Sequence, residues 1–509
     1  MLICDNTSPI YNLSSYADLS IYYNVGKAMV NGKVLYKDIF DLKGPYIFFI
    51  GALSYKIFRN VTLFFIFNLI SFLLYVYSNY KIFCLRFSKE KSFILSILSF
   101  SILFLITYLG NPEGMFIGIF SYFIYWILSN GFGKDNKLRF LLFGAFFSFI
   151  FFTKINVLLP FAIIALIYII YLAKEKKLKK LTIEISLFLT SSIIFSLPIF
   201  VYEKVNNLET FYILETYLGT SSQYNSSLDL NVFAYLIFRI FIISLLFIVS
   251  FVYLILREEN KITKRNLAIC FIYFIGTILS IAITLKFYKY YYYIVYSFVT
   301  IVFLFIFNKK TFNLFQKVIG VISFIFIIAS IILHFNCNSV VTKNSNYYNL
   351  ANDYKEKFES KKVFAISSID EASIFNLFDN QPFNKHFVAI NLDYELIPEF
   401  KEFKSSIGSG GVDYLIVTYV TYDGEDYPYI NEFLNFDSKD LCFDKKQLGN
   451  KKDIDDAKYY NQLTTFLSEK FDEENSYKDM PIQTTNYFTI FGSHLNKVDM
   501  NIKVYKYKF

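Results

Sequence analysis

Two charged residues 25 positions apart, Asp18 and Lys43, are the first candidates for chemistry in this chain. They lie in a polar opening, Ser15–Pro45, that precedes a long series of apolar segments rich in Phe, Ile, Leu and Tyr. Asp18 stands at the head of an amphipathic pattern through Ile21, Val25, Ala28 and Met29. A carboxylate there serves either as a helix cap or first-turn acid, or as a general base that takes the proton of an attacking hydroxyl at the membrane surface. Lys43-Gly44-Pro45 puts an ammonium at the head of a further apolar segment. Pro45 suits a first helical turn. The lysine either snorkels towards headgroups or meets a lipid-linked phosphate at headgroup depth. Asp38 and Asp41 are the other charged landmarks of this opening.

Further along, a few ionisable residues interrupt apolar sequence. Arg239 lies about eight residues, or roughly 12 Å, inside an apolar run. Burying it costs on the order of 2–3 kcal/mol even on a lenient insertion scale, so a phosphate charge is one partner for it and snorkelling the other explanation. Lys154 is the lone cation between two apolar runs, and Thr153 precedes it. Glu113, in Asn111-Pro112-Glu113-Gly114, stands at the head of another run, where a solvated loop acid is the plain reading. The tyrosines around Lys289, in Tyr288-Lys289-Tyr290-Tyr291, suit an interfacial aromatic belt.

The elements that must position these groups follow from composition. The chain has 509 residues, 55% hydrophobic and 21% aromatic, with mean hydropathy +0.40. That excludes an ordinary soluble protein and a disordered one, and predicts a multi-span membrane protein. The net charge of +8 is split: residues 336–509 carry 20 Lys against 27 acids, and the rest carries 30 Lys and Arg against 15. Basic charge therefore belongs to the membrane part and sets topology; no tract alternates basic and aromatic residues as a nucleic-acid surface does. Five cysteines without any C-x-x-C indicate neither zinc nor a disulfide framework, and only Cys337 and Cys442 fall in one outer domain.

Apolar runs of spanning length are predicted at about 61–83, 92–109, 112–130, 139–153, 155–173, 182–202, 232–256, 266–285, 290–307 and 312–335. The pair 139–153 and 155–173 reads as a tight hairpin or two partial spans. Pro45–Phe58 reaches only about 21 Å and reads as an interfacial helix. With that segment left out of the crossings, the alternate loops collect Arg86, Lys89, Lys91; Lys134, Lys137, Arg139; Lys174 to Lys180; Arg257, Lys261, Lys264, Arg265; and Lys309, Lys310. The positive-inside rule makes that side cytoplasmic, which puts the opening loop and the C-terminal part outside. An outward-facing opening loop calls for a preceding helix, so a first helix is expected to be missing from the chain. Beyond Asn336 the polar sequence predicts strands at Lys362–Ser367, Asp413–Thr418 and Ile502–Tyr507, with helices at Ile369–Phe378 and Tyr394–Lys404. Gly408-Ser409-Gly410-Gly411 is a loop before a strand, not a P-loop. Residues 424–500 read as charged and weakly periodic.

The domains expected are thus 1–60, an outer loop with interfacial helices; 61–335, about ten membrane helices; and 336–509, a small accessory α/β domain. The order Asp18-Leu19-Ser20-Ile21-Tyr22, Gly26-Lys27-Ala28-Met29, Asn31-Gly32, Tyr36-Lys37-Asp38 and Lys43-Gly44-Pro45, with Leu53-Ser54 and Lys56-Ile57-Phe58, resembles the first outer loop of GT-C glycosyltransferases. It is similar to the branch with the protein O-mannosyltransferases and the lipid A aminoarabinose transferases. The resemblance implies a polytopic helical GT-C-like fold and a sugar taken from a polyprenyl-phosphate carrier. It implies Asp18 as catalytic base, with Glu113 as a second acid. Contacts to substrate fall to Lys43, Asp38, Asp41, Lys154, Arg239, Lys289 and Tyr290. No cofactor and no metal are expected, because Leu42 stands where some relatives have an acidic metal-binding residue. Two other departures are Leu19 for the family's Glu and Gly44 for its first Pro. The expected partners are the polyprenyl-phosphate sugar, membrane lipids and an acceptor in the cell envelope, at the outer face of the cytoplasmic membrane. A non-catalytic relative and a glycolipid transporter or flippase are the alternatives. Internal repeats and matching broken helices, which a transporter predicts, are absent from the sequence. An O-antigen polymerase or ligase calls for a large outer loop rich in His and Arg, whereas the three histidines are His334, His386 and His494.

Overall fold

A computed structural model describes residues 17–41, 43–106, 114–130, 137–223, 244–256, 262–283, 292–307, 318, 321–329, 345–366, 375, 378, 411–422, 425–428, 468–481 and 499–508. The chain divides into two compact units. One holds Leu42–Phe49 and Leu63–His334; the other holds Asn6–Asp41, Ile50–Thr62 and Phe335–Phe509.

The first unit is helical. Its elements are the start of α2 (Pro45–Phe58), then α3 (Thr62–Phe83), α4 (Lys89–Ile106), α5 (Gly114–Asn130), α6 (Lys137–Phe151), a 3-10 turn at Ile155–Leu158, α7 (Leu159–Lys174), α8 (Leu178–Val205) and α9 (Tyr212–Gln223). Helices α10 (Ser244–Leu256) and α11 (Lys264–Ala282) follow. Four described helical segments are long and apolar enough to cross a membrane: Thr62–Phe83, Ile155–Lys174, Leu178–Val205 and Lys264–Ala282. Shorter apolar helices stand at Pro45–Phe58, Gly114–Ser129, Leu138–Phe151, Ser244–Leu256 and Tyr293–Ile306. Six of the expected runs, 92–109, 112–130, 232–256, 266–285, 290–307 and 312–335, lie partly outside the described residues.

The helices of this unit are joined by small residues and rings. Gly144 lets α6 approach α8, where Ser148 Oγ donates to the Ser192 carbonyl (2.8 Å) and Ser191 Oγ to the Leu141 carbonyl (2.6 Å). Such contacts substitute for the hydrophobic effect, which gives little drive between helices in lipid. Phe120 and Phe123 of α5, Phe161 of α7 and Tyr273 of α11 interlock edge-on and stacked at 4.6–6.2 Å. Along α8, Ile185, Leu189, Ile193, Phe195, Leu197 and Val201 are exposed, as a lipid-facing helix requires. The 139–153 and 155–173 pair resolves into α6 and α7 with a short irregular return between them. The return is where Lys154 sits.

The second unit holds α1 (Ala17–Val30), a loop over 31–41, the later part of α2 and a mixed sheet. Its strands are β1 (Val363–Ile366), β2 (Tyr414–Tyr422), β3 (Glu425–Pro428), β4 (Phe471–Pro481) and β5 (Asp499–Tyr507), in the order β1-β2-β5-β4 with β3 on β2. Among the described strands, β1 and β2 pair in parallel and the other pairs are antiparallel. Strands occupy the three stretches where sequence expected them. Two more, β3 and β4, fall inside the region read as charged and weakly periodic. In β4 the acids that hide the strand pattern face lysines: Glu473 meets Lys503 at 3.4 Å and Asp472 meets Lys508 at 3.5 Å. The expected helices Ile369–Phe378 and Tyr394–Lys404 lie outside the described residues except at 375 and 378, which are a turn and a bend.

Candidate functional site

In the helical unit, the segment that carries Lys43 is tied to the return between α6 and α7. Gly44 N–H donates to the Thr153 carbonyl (3.2 Å) and Tyr46 N–H to the Phe152 carbonyl (3.0 Å). A β-carbon at Gly44 would collide with the Phe152 carbonyl group and lie 2.9 Å from the Thr153 nitrogen. Both neighbours are backbone and cannot swing aside, so glycine is required. Proline is barred as well, since the N–H at 44 is used. The glycine at position 44 therefore has a local cause.

That backbone pairing brings the lysine before Gly44 beside the lysine after Thr153. Lys154 is buried, 9% exposed, with its N–H bonded to the Ile150 carbonyl (2.7 Å). Thr153 Oγ1 donates to the Phe149 carbonyl (2.6 Å), which holds the return against the end of α6. The next residue, Ile155, gives its N–H to the hydroxyl of Tyr217 on α9 (2.8 Å). Burial pushes that hydroxyl well above the usual tyrosine range; the Ile155 N–H and the Lys43 charge pull the other way and are outweighed. Lys43 is thus close enough to act on Tyr217 electrostatically. Helix α9 is held in turn by Glu203, whose carboxylate accepts from the N–H groups of Phe211 (3.2 Å) and Ile213 (2.9 Å). The result is the Lys43 charge within reach of a buried phenol, with Lys154 on the return that the Lys43 segment pairs with; cations so placed suit a phosphate.

The second unit carries the acidic candidates. Asp18 sits in the first turn of α1, half-buried, ahead of the buried Leu19, Ser20, Ile21 and Tyr22. Leu19 is 1% exposed, so the position where the family has Glu is filled here by core packing. Helix α1 crosses the second half of α2 at two glycines. A β-carbon on Gly26 would meet the backbone of Gly51 and Ala52, and one on Gly51 would meet the Tyr22 carbonyl. Tyr23 and Tyr55 close the crossing edge to face at 6.0 Å. Lys27 is buried, and its ammonium donates to the carbonyls of Phe375 (2.8 Å) and Phe378 (2.7 Å).

The loop after α1 is ordered by Asp38. Its carboxylate accepts from the Val34 N–H (2.8 Å) while its own N–H donates to the Val34 carbonyl (2.8 Å). Tyr36 takes the left-handed conformation (φ 63°) inside this turn. Burial lowers the Lys33 ammonium to about 8, with the Asp38 charge opposing the fall. Asp41 is half-buried at the end of the loop. Glu113, Arg239, Lys289 and Tyr290 lie outside the described residues. Among the described residues, no three His, Cys, Asp or Glu side chains gather as a metal site needs.

Tyr217 and Lys27 were not singled out from sequence. In a chain with 43 tyrosines nothing marks Tyr217, and the buried role of Lys27 depends on residues about 350 positions away.

Short α2, a run of apolar helices and a mixed sheet of C-terminal strands together define a polytopic, mostly helical fold with a small sheet. The crystal structure of ArnT from Cupriavidus metallidurans bound to undecaprenyl phosphate has the same fold, with a TM-score of 0.54 at 9% identity, covering 80% of this chain and 90% of that one. No protein-family model matches the chain, and no curated protein sequence does.

Proposed function

We propose that this protein is a membrane glycosyltransferase that moves a sugar from a polyprenyl-phosphate carrier to a hydroxyl of an envelope acceptor. The observation that carries the reading is the Gly44–Thr153 pairing, which sets the Lys43 backbone beside that of Lys154, with Tyr217 bonded to the next residue and within reach of the Lys43 charge. A fold shared with a protein that was crystallised with undecaprenyl phosphate supports the same donor class. In this reaction Asp18 accepts the acceptor's proton as its oxygen attacks the anomeric carbon. The bond from that carbon to the phosphate oxygen breaks with inversion, and the leaving phosphate's charge is met by Lys43 and Lys154. Glu113 is proposed as a second acid, and Arg239, Lys289, Tyr290, Asp38 and Asp41 as further contacts to substrate. The lysine and arginine asymmetry supports an outer-face site on the cytoplasmic membrane.

The test is transfer from an undecaprenyl-phosphate sugar by the full chain in nanodiscs. Asp18→Asn keeps the side chain's shape and removes the base, so turnover should fall by at least about 100-fold with donor affinity unchanged. Wild-type turnover in that variant removes Asp18 from the reaction. A wild type that binds the carrier and transfers nothing favours the non-catalytic relative, in line with the buried Leu19.

A further inference from the structure

Helix α3 carries a carboxamide with no hydrogen bond at either end. Asn68 is 1% exposed, and among the described residues neither its Oδ1 nor its Nδ2 has a partner. In a bilayer no solvent makes good that loss, so an unmet buried amide is a group kept for something else. Loose packing does not explain it. One turn further along α3, Ser71 Oγ donates to the Gly114 carbonyl (2.7 Å) and accepts from the Gly118 N–H (3.0 Å). The two helices are in tight register at the level where the amide goes unmet.

The amide faces the first turn of α5. A β-carbon on Gly114 would meet only Asn68 among the described residues, at 3.4 Å from Oδ1 and 3.9 Å from Cγ. Glycine thus leaves a gap between the α5 backbone and the amide. An amide whose two ends both go unmet calls for a group that can donate to its oxygen and accept from its nitrogen, and a hydroxyl does both. A carboxylate or phosphate fits less well, because it cannot donate to the amide oxygen.

This notch shares a ring with the lysine cluster. Phe149 stacks on Phe67, the neighbour of Asn68, at 6.0 Å; it meets Phe116 of α5 edge-on at 6.0 Å and Tyr46 at 6.3 Å. Tyr46 follows Lys43-Gly44-Pro45, and the carbonyl of Phe149 holds Thr153. We propose that Asn68 and the start of α5 form a subsite for a hydroxyl of the donor sugar, whose phosphate lies at Lys43 and Lys154. The assignment rests on the proposed glycosyltransferase reading and adds a specificity residue to it.

The experiment compares two probes, undecaprenyl phosphate and undecaprenyl-phosphate glucose, on the full chain in nanodiscs. Wild type should hold the sugar-bearing lipid more tightly. Asn68→Leu, which keeps the branched shape, should remove about 3- to 10-fold of that preference, the worth of one neutral hydrogen bond, and leave the bare lipid's affinity unchanged. Because the amide is unmet in the free fold, Asn68→Leu should also melt no lower than wild type, with Asn68→Ala as a second variant should leucine overfill the gap. An unchanged preference in both variants overturns the subsite. So does a lowered melting temperature in both, which would make Asn68 a structural residue. A wild type that holds neither lipid overturns the glycosyltransferase reading itself, whereas a loss confined to the sugar preference concerns Asn68 alone.

Discussion

Replacing Gly44 by alanine adds one methyl group where two backbones touch, and its consequence can be worked through. Carbon–oxygen contacts settle near 3.5 Å, so the new β-carbon must push Lys43-Gly44-Pro45 and Phe152-Thr153 apart by more than about 1 Å. Both bonds that hold them, Gly44 to Thr153 at 3.2 Å and Tyr46 to Phe152 at 3.0 Å, then stretch or break. Overpacking of this kind costs about 1–3 kcal/mol. At an effective dielectric of about 20, moving an ammonium from roughly 4 Å to roughly 5 Å from a phosphate charge loses about 0.8 kcal/mol, close to fourfold in affinity. Gly44→Ala should therefore melt below wild type and hold undecaprenyl phosphate about fourfold more weakly, or worse if both lysines shift. Gly219 is the control: it lies in α9, and a β-carbon there meets nothing within 4 Å. Gly219→Ala should leave binding alone and stabilise by about 0.5–1 kcal/mol. Measured by nanodisc binding and thermal melts, a Gly44→Ala protein indistinguishable from wild type in both would refute the close approach.

Three further outcomes are expected. Glu203→Leu deletes the acceptors for Phe211 and Ile213 at the head of α9, so it should cost about 1–3 kcal/mol and weaken carrier binding through Tyr217; equal binding would detach Tyr217 from the cluster. The depressed Lys33 makes the unfolded chain bind more protons than the folded one between about pH 8 and the ordinary lysine value of 10.5. Its contribution to stability therefore rises with pH across that window, and the melting curve of Lys33→Met should lack this rise. Lys27→Met removes the donor to two buried carbonyls, so limited proteolysis of the C-terminal part should accelerate several-fold; an unchanged digestion pattern would mean that the contact contributes no stability.

What the sequence disclosed and what it concealed divide along range. Helix α2 announced itself through Pro45 and its 14-residue length, and β1, β2 and β5 through short apolar runs, because these signals are local. Strand β4 was hidden because its stability comes partly from charges whose partners, Lys503 and Lys508, lie about 30 residues on. At the site, Lys43 and Lys154 were legible as isolated cations in apolar surroundings. Their meeting was not, since it depends on a glycine contact between segments about 110 residues apart. Asn68 gave no signal at all: a single amide in an apolar run reads as neutral until its lack of partners is seen.

The bond from Lys27 to Phe375 and Phe378 spans 348 and 351 residues of chain. A ribosome adding about 5–20 residues each second makes the lysine roughly 17–70 s before its acceptors exist. Through that interval the whole membrane portion is being inserted, and the helix bearing Asp18 has no C-terminal clasp. Its final seating is therefore a late event in biogenesis, and truncated or stalled chains should reach the membrane with their helices in place and this end of the protein unsecured.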